Sequence, residues 1–303
     1  MWFLNPHEML ATQLGPLQLE CCVYNASGPR TGSAEALAKI GGSRAGAVLS
    51  KSATLVKQDG NPMPRAIAAV DLGAASAAGS MNSEGLPNYG IDYYLSADAV
   101  ASAPASKPYI VSLSGLKLAD NLEMLGRALL TDGVAAIELN LACPNIPGKP
   151  TVAYDFEQME QILQAVTKHA HFGKKPLGVK LAPYFDMPHF ERACDILARY
   201  PLAFVVCINT IGNALFIDAD KECAVITPKG GYGGLGASRA LVVSFVCSSR
   251  SLAARARATA RDGSSALTTR AHRARARRRR LRQAHGARQR AQDFRGPRRA
   301  RAR

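Results

Sequence analysis

Apolar residues in this chain fall in short blocks of two kinds. Blocks of the first kind are continuous: AGAVLSKSAT at 45–54, PYIVSLSG at 108–115, AAIELNLACPN at 135–145, PLGVKLAP at 176–183 and FVVCINT at 204–210, with a weaker one, CVYNAS, at 22–27. Such runs predict strands buried on both faces. Blocks of the second kind are amphipathic and predict helices: SAEALAKIGG at 33–42, IDYYLSADAV at 91–100, ADNLEMLGRALLTDG at 119–133, DFEQMEQILQAVTKHA at 155–170 and MPHFERACDILARY at 187–200. Ser33 and Asp155 stand where N-caps belong, and Gly41-Gly42 where a helix stops. The stretch between residues 55 and 90 breaks this alternation. Its Ala/Gly/Ser-rich part, AAVDLGAASAAGS at 68–80, reads as a surface loop.

Six strands separated mostly by helices predict a parallel α/β architecture. A doubly wound sheet and a TIM (β/α)8-type barrel both satisfy that order, and the polar residues separate them. Asn25-Ala26-Ser27, Lys51-Ser52, Asn140 to Asn145, Lys180 and Asn209-Thr210 all follow or end an apolar run. In a TIM barrel these ends meet on one face, where the active site is built. A doubly wound sheet calls instead for a glycine-rich turn after its first strand, and NASGPRTG matches that fingerprint poorly.

Composition divides the chain in two. The formal charge of +15 suggests a nucleic-acid partner until it is placed along the sequence: residues 237–303 hold 20 Arg, no Lys and two acids, a net of +18. The other 236 residues hold 18 bases and 21 acids, a net of −3. We therefore read two parts, a slightly acidic body at 1–236 and an Arg/Ala-rich tail at 237–303. Seven cysteines without a Cys-x-x-Cys pair, and a start, MWFLNPHEML, without a secretory pattern, point to a reduced, cytoplasmic protein. No apolar run approaches the roughly 18–20 residues that span a bilayer, so no membrane is expected. The adjacent Cys21 and Cys22 read as core packing residues. His169 and His171 have no acid or cysteine at metal-ligand spacing, so no metal is expected.

Seven motifs in order, NASGP, SKSAT, MNSEGLPN, LNLACPNIPGKP, GVKLAPYFD, CINTIGN and KGGYGGLG, make the body resemble the dihydroorotate dehydrogenases over about residues 15 to 236. The likeness is strongest to the single-subunit type, which uses FMN and reduces fumarate. The two-subunit type, which passes electrons to NAD, fits less well: MNSEGLPN followed by YGIDYYL argues against it.

The resemblance implies oxidation of dihydroorotate to orotate in pyrimidine (UMP) biosynthesis by a homodimer. Cys143 would be the base that takes the C5 proton, and a desolvated thiol suits that task. Lys180 would lie by the flavin, where a cation favours the anionic reduced form, and Lys51 between flavin and substrate. Asn82, Asn140, Asn145, Asn209 and Thr210 would cage the substrate, with Ser83, Glu84, Gly85 and Leu86 closing one side; amides, each donor and acceptor, suit orotate's ring groups. Glu84 would repel an anionic substrate and is expected to face solvent. Ala26, Ser27, Gly28, Ser52 and Gly236, together with Lys51, Asn82, Asn140 and Lys180, would touch the FMN. Pro147, Gly148 and Lys149 would belong to a loop that closes over the substrate.

After Gly236 the likeness stops where relatives supply the last two barrel strands, so the barrel reads as truncated after about six strands, without part of its phosphate site. The tail has two readings. Clustered arginines can bind nucleic acid or another polyanion, with the barrel an inactive remnant; Arg, Ala and Gly monotony is also what a shifted frame in a GC-rich gene yields.

Overall fold

A computed structural model of the chain describes residues 10–71, 78–142 and 151–236. Contacts divide the chain into units Met1–Leu252 and Ala253–Arg303, and every described residue belongs to the first. The tail, the region after Gly236 and the segment with Cys143, Asn145 and Pro147 to Lys149 lie outside the described residues.

From the amino end, β1 (Thr12–Leu14) and β2 (Leu17–Leu19) form a hairpin, followed by α1 (Ala34–Gly41) and β3 (Val48–Leu49). A second hairpin, β4 (Ala66–Asp71) and β5 (Ala78–Asn82), precedes the short α2 (Ile91–Tyr94) and α3 (Ala97–Val100). Strand and helix then alternate through β6 (Tyr109–Leu113), α4 (Leu118–Leu130), β7 (Val134–Asn140), α5 (Phe156–Thr167), β8 (Leu177–Leu181), α6 (Met187–Leu197) and β9 (Phe204–Cys207). The described chain ends in β10 (Ile211–Leu215), β11 (Ile217–Asp218), β12 (Cys223–Ala224) and β13 (Tyr232–Gly236).

The continuous apolar runs become a five-stranded sheet, β3-β6-β7-β8-β9, in which every pair is parallel. With its helical crossovers it forms part of a TIM-type barrel. Successive side chains point to opposite faces, which explains why both faces had to be apolar. On the outer face Val111, Leu113, Ile137, Leu139, Val179 and Leu181 pack with the helix residues Leu37, Met124, Leu125, Leu163, Val166 and Phe190. Burying each such side chain contributes about 1.5–3 kcal/mol. On the inner face Leu49, Ile110, Ala136 and Phe204 meet Leu19 of β2. Only glycine fits at position 178 in this layer, because a Cβ there would lie 2.1 Å from the Phe204 ring. One step further along the strands the inner face turns polar, at Ser112, Glu138, Asn140 and Lys180.

Two expectations are corrected. Residues 22–27 border β3 without forming a strand. Gly46 N–H donates to the Val23 carbonyl at 2.9 Å, and above it the Asn25 amide takes both polar groups of Leu49: Leu49 N–H donates to Oδ1 at 2.9 Å and Nδ2 donates to the carbonyl at 2.6 Å. A side chain supplies the pairing that a strand backbone would have supplied. Cys22 is exposed there, so it is not a core residue. The stretch 68–80, read as a surface loop, instead contributes to β4 and β5 at its two ends, with 72–77 outside the described residues. Those strands belong to a second, four-stranded antiparallel sheet in the order β10-β13-β5-β4. Small side chains have weak strand propensity, and here tertiary pairing overrides it.

Candidate active site

The ends of the parallel strands bring most of the expected residues to one mouth. Asn140 and Lys180 are direct partners across β7 and β8. Asn209 is pinned twice, its N–H donating to the Leu181 carbonyl at 2.9 Å and its Nδ2 to the Ala142 carbonyl at 2.8 Å. Thr210 N–H donates to Asn209 Oδ1 at 2.8 Å. Asn140 is equally fixed: Oδ1 accepts from Ala142 N–H at 3.0 Å and Nδ2 donates to Ser52 Oγ at 3.3 Å. Ser52 Oγ lies 2.8 Å from Ser27 Oγ and 2.9 Å from Ser112 Oγ, and Ser112 donates to Glu138 Oε1 at 2.9 Å. Lys51, just past β3, and Lys180, on β8, are each only 6% exposed. Among the described residues no hydrogen bond or ion pair holds the Lys180 ammonium.

The second sheet covers this mouth. Asn82 on β5 pairs with Gly234 on β13, and a Cβ at Gly234 would fall 2.0 Å from Thr210 Oγ1, so the cover lies directly on Thr210. Gly236 ends the same strand opposite Ser80. After β5, the loop from Ser83 to Leu86 doubles back through two left-handed residues, Gly85 (φ 68°) and Leu86 (φ 59°). Leucine rarely adopts that conformation, and such strain persists only where surrounding bonds impose it. They do: Ser83 N–H donates to the Arg65 carbonyl at 2.8 Å, Asn61 N–H to the Glu84 carbonyl at 2.8 Å and Asn61 Nδ2 to the Ser83 carbonyl at 2.7 Å. Among the described residues Ser83 Oγ is buried with no partner.

Glu84 does not face solvent as expected. Its side chain is 11% exposed, and Oε2 lies 3.1 Å from Nε of Arg65, whose Nη1 also donates to the carbonyls of Asp59 (2.8 Å) and Asn61 (3.1 Å). The guanidinium neutralises the acid, so a mostly buried carboxylate is tolerated there.

Between cover and mouth lies a cavity of about 350 Å³, lined in part by Ser83, Ala142, Thr151, Thr210, Gly233 and Gly234. Ala142 and Thr151 flank the undescribed segment that contains Cys143 and Asn145. Of the other expected contacts, Ala26 is exposed and Gly28 half-buried on the approach to Ser27.

Glu138 was not foreseen. It is 1% exposed in the polar layer beneath the mouth. Burial pushes its carboxyl above the ordinary range, while the Lys180 charge and the Ser112 hydroxyl pull the other way. Burial, with a contribution from Glu138, also pushes the Tyr24 hydroxyl up to about 12. The signal was legible, because an acid interrupts AAIELNL two positions before Asn140 and so shares its inward face.

A nearly buried lysine and a buried serine hydroxyl that find no partner among the described residues, with fixed amides around a slot, fit a flat heteroaromatic ligand with ring nitrogens and carbonyls. FMN is such a group.

Comparison with known proteins agrees with this geometry. The sequence model for dihydroorotate dehydrogenase matches residues 9–249 and so runs past Gly236. Dihydroorotate dehydrogenase (fumarate) of Kluyveromyces lactis is 46% identical over 229 residues, covering 73% of this chain and 70% of that protein. Dihydroorotate dehydrogenase A (fumarate) of Lactococcus lactis subsp. lactis is 45% identical over 232 residues, covering 75% of this chain and 71% of that one. Among solved structures, the ligand-free type DHODH from Eimeria tenella superposes with a TM-score of 0.62 at 18% identity, covering 84% of this chain and 75% of that one, a likeness of fold. The chain belongs to the dihydroorotate dehydrogenase family.

Proposed function

We propose that the chain oxidises dihydroorotate to orotate in pyrimidine biosynthesis, with FMN as cofactor and fumarate as electron acceptor. One observation carries the reading: near-half identity to proteins named for the fumarate-linked enzyme, over the part of the chain that supplies the candidate site. When bound, the flavin supplies the hydride acceptor. The chain's own residues do the rest. Cys143 takes the proton from C5, next to a carbonyl, and returns it when fumarate is reduced. Asn82, Asn140, Asn145 and Asn209, with Thr210 and the Ser83–Leu86 loop, hold the substrate ring through paired donors and acceptors. Lys180 favours negative charge on the reduced cofactor, and Lys51 lies between cofactor and substrate. Pro147, Gly148 and Lys149 close over the site, while Ala26, Ser27, Gly28, Ser52 and Gly236 border the cofactor.

We place this activity in the cytoplasm, in a homodimer without a membrane anchor. No described helix is long and apolar enough to cross a membrane. The alternative of an inactive barrel remnant with a polyanion-binding tail rests on the tail's charge alone, and the named relatives do not favour it.

The test is the visible absorbance of the purified chain, supplied with FMN, before and after anaerobic dihydroorotate. Flavin absorbance that bleaches with dihydroorotate and returns with fumarate is expected. Cys143→Ala should slow the bleaching by about 100-fold or more while orotate still binds. A chain that takes up no flavin, or whose flavin dihydroorotate leaves oxidised, overturns the reading.

A further inference from the structure

Beneath the mouth, four side chains form one hydrogen-bonded series, Ser27–Ser52–Ser112–Glu138, and with the carboxyl ionised proton counting sets its direction. A serine hydroxyl has one proton to give. Ser112 gives its own to Glu138, so Ser52 must be the donor in the Ser52–Ser112 bond. With that proton used, Ser27 must be the donor to Ser52, which also accepts from Asn140. Ser27 then presents only lone pairs outward. A protonated carboxyl at 138 reverses each bond in turn, and Ser27 would offer its proton to the mouth.

The carboxylate also answers a charge. Glu138 and Lys180 lie on the same inward face, diagonal to each other across β7 and β8, where Gly178 opposite Glu138 contributes no side chain. Among the described residues, the charged and titratable groups coupled to Glu138 are Lys180 on β8 and Tyr24 beside β3.

We propose that Glu138 is a positioning residue: its carboxylate sets the direction of the series Ser112, Ser52 and Ser27 and supplies the counter-charge to Lys180. It touches neither substrate nor cofactor and acts through these side chains. For the cofactor, the inference rests on the flavin reading above. Removing the carboxylate leaves the Lys180 charge uncompensated, so a negatively charged reduced flavin is held more tightly than before.

The experiment has two arms. In the first, urea stability of the ligand-free chain is measured against pH for the wild type, Glu138→Gln, Lys180→Met and the double variant. A carboxyl raised by burial contributes stability that is fully present below its unfolded pKa and is lost as pH rises through the folded one. Glu138→Gln should remove that loss. Lys180→Met should steepen it in the wild type and leave the Gln background unchanged. In the second arm, the ratio of reduced to oxidised flavin affinity should rise about tenfold in Glu138→Gln. Ser112→Ala, which keeps the charge and breaks the series, should weaken flavin binding with that ratio unchanged, and it serves as the reporter if Glu138→Gln does not fold. No coupling between Glu138 and Lys180 overturns the inference even where flavin binds normally, and so does an unchanged ratio in Glu138→Gln. Coupling in a chain that takes up no flavin leaves the inference standing and sinks the proposed activity instead.

Discussion

Asn25 does with one amide what a neighbouring strand does with its backbone, and the cost of losing it follows from that. Asn25→Ala leaves the Leu49 N–H and carbonyl without their partner. Leaving such groups unpaired costs about 2–3 kcal/mol, which should appear as a lower urea midpoint with an unchanged slope. Arg65 and Glu84 make a different case, because each is tolerable only beside the other. Arg65→Met strands a mostly buried carboxylate near the mouth, which should cost about 3 kcal/mol and weaken orotate binding at least tenfold; adding Glu84→Gln should recover most of both. Urea unfolding and an orotate titration on the three variants check this. Nothing local announced the pair: residues 65 and 84 lie in separate loops, and only the β4–β5 pairing that ends near both brings them together.

Elements were legible where local physics decided them. The strands β6 to β9 carry enough Val, Ile and Leu to be read from the run alone, and α1, α5 and α6 begin at capping residues. Ser33 accepts from Ala36 N–H at 3.2 Å, Asp155 from Gln158 N–H at 3.0 Å and Asp186 from His189 N–H at 2.9 Å. Asp155→Ala should cost about 1 kcal/mol, with faster amide exchange confined to the first turn of α5. The antiparallel sheet was not legible, since AIAAVD, AGSMN and YGGLG have too few large side chains to declare a strand face. The candidate site divided in the same way. Lys51, Asn140, Lys180 and Asn209 could be placed because strand ends share one mouth. The cover over Thr210, the burial of Glu84 and the layer at Ser112 and Glu138 depend on which distant segments pair.

At the scale of the whole molecule, charge and chemistry are separated along the sequence. The body carries a net charge of −3 and the tail of +18, while every described residue of the candidate site lies in the body. Any attraction to a polyanion should therefore be strongly salt-dependent and vanish when residues 237–303 are removed. A filter-binding titration at two salt concentrations on the full and shortened chains checks both.

The cover joins segments that the ribosome releases far apart in time. Ser80 and Gly236, which meet across β5 and β13, are 156 positions apart, whereas from β6 to β9 consecutive strands pair with one another. Closing so long a loop costs entropy that nearby pairings do not incur, so the parallel sheet should assemble first and β5 should gain protection last in pulsed hydrogen exchange. Substrate-binding competence is then acquired at the end of folding, after the chain has committed to its architecture. A nascent chain halted before Tyr232 would hold the strand ends in place with no roof above them.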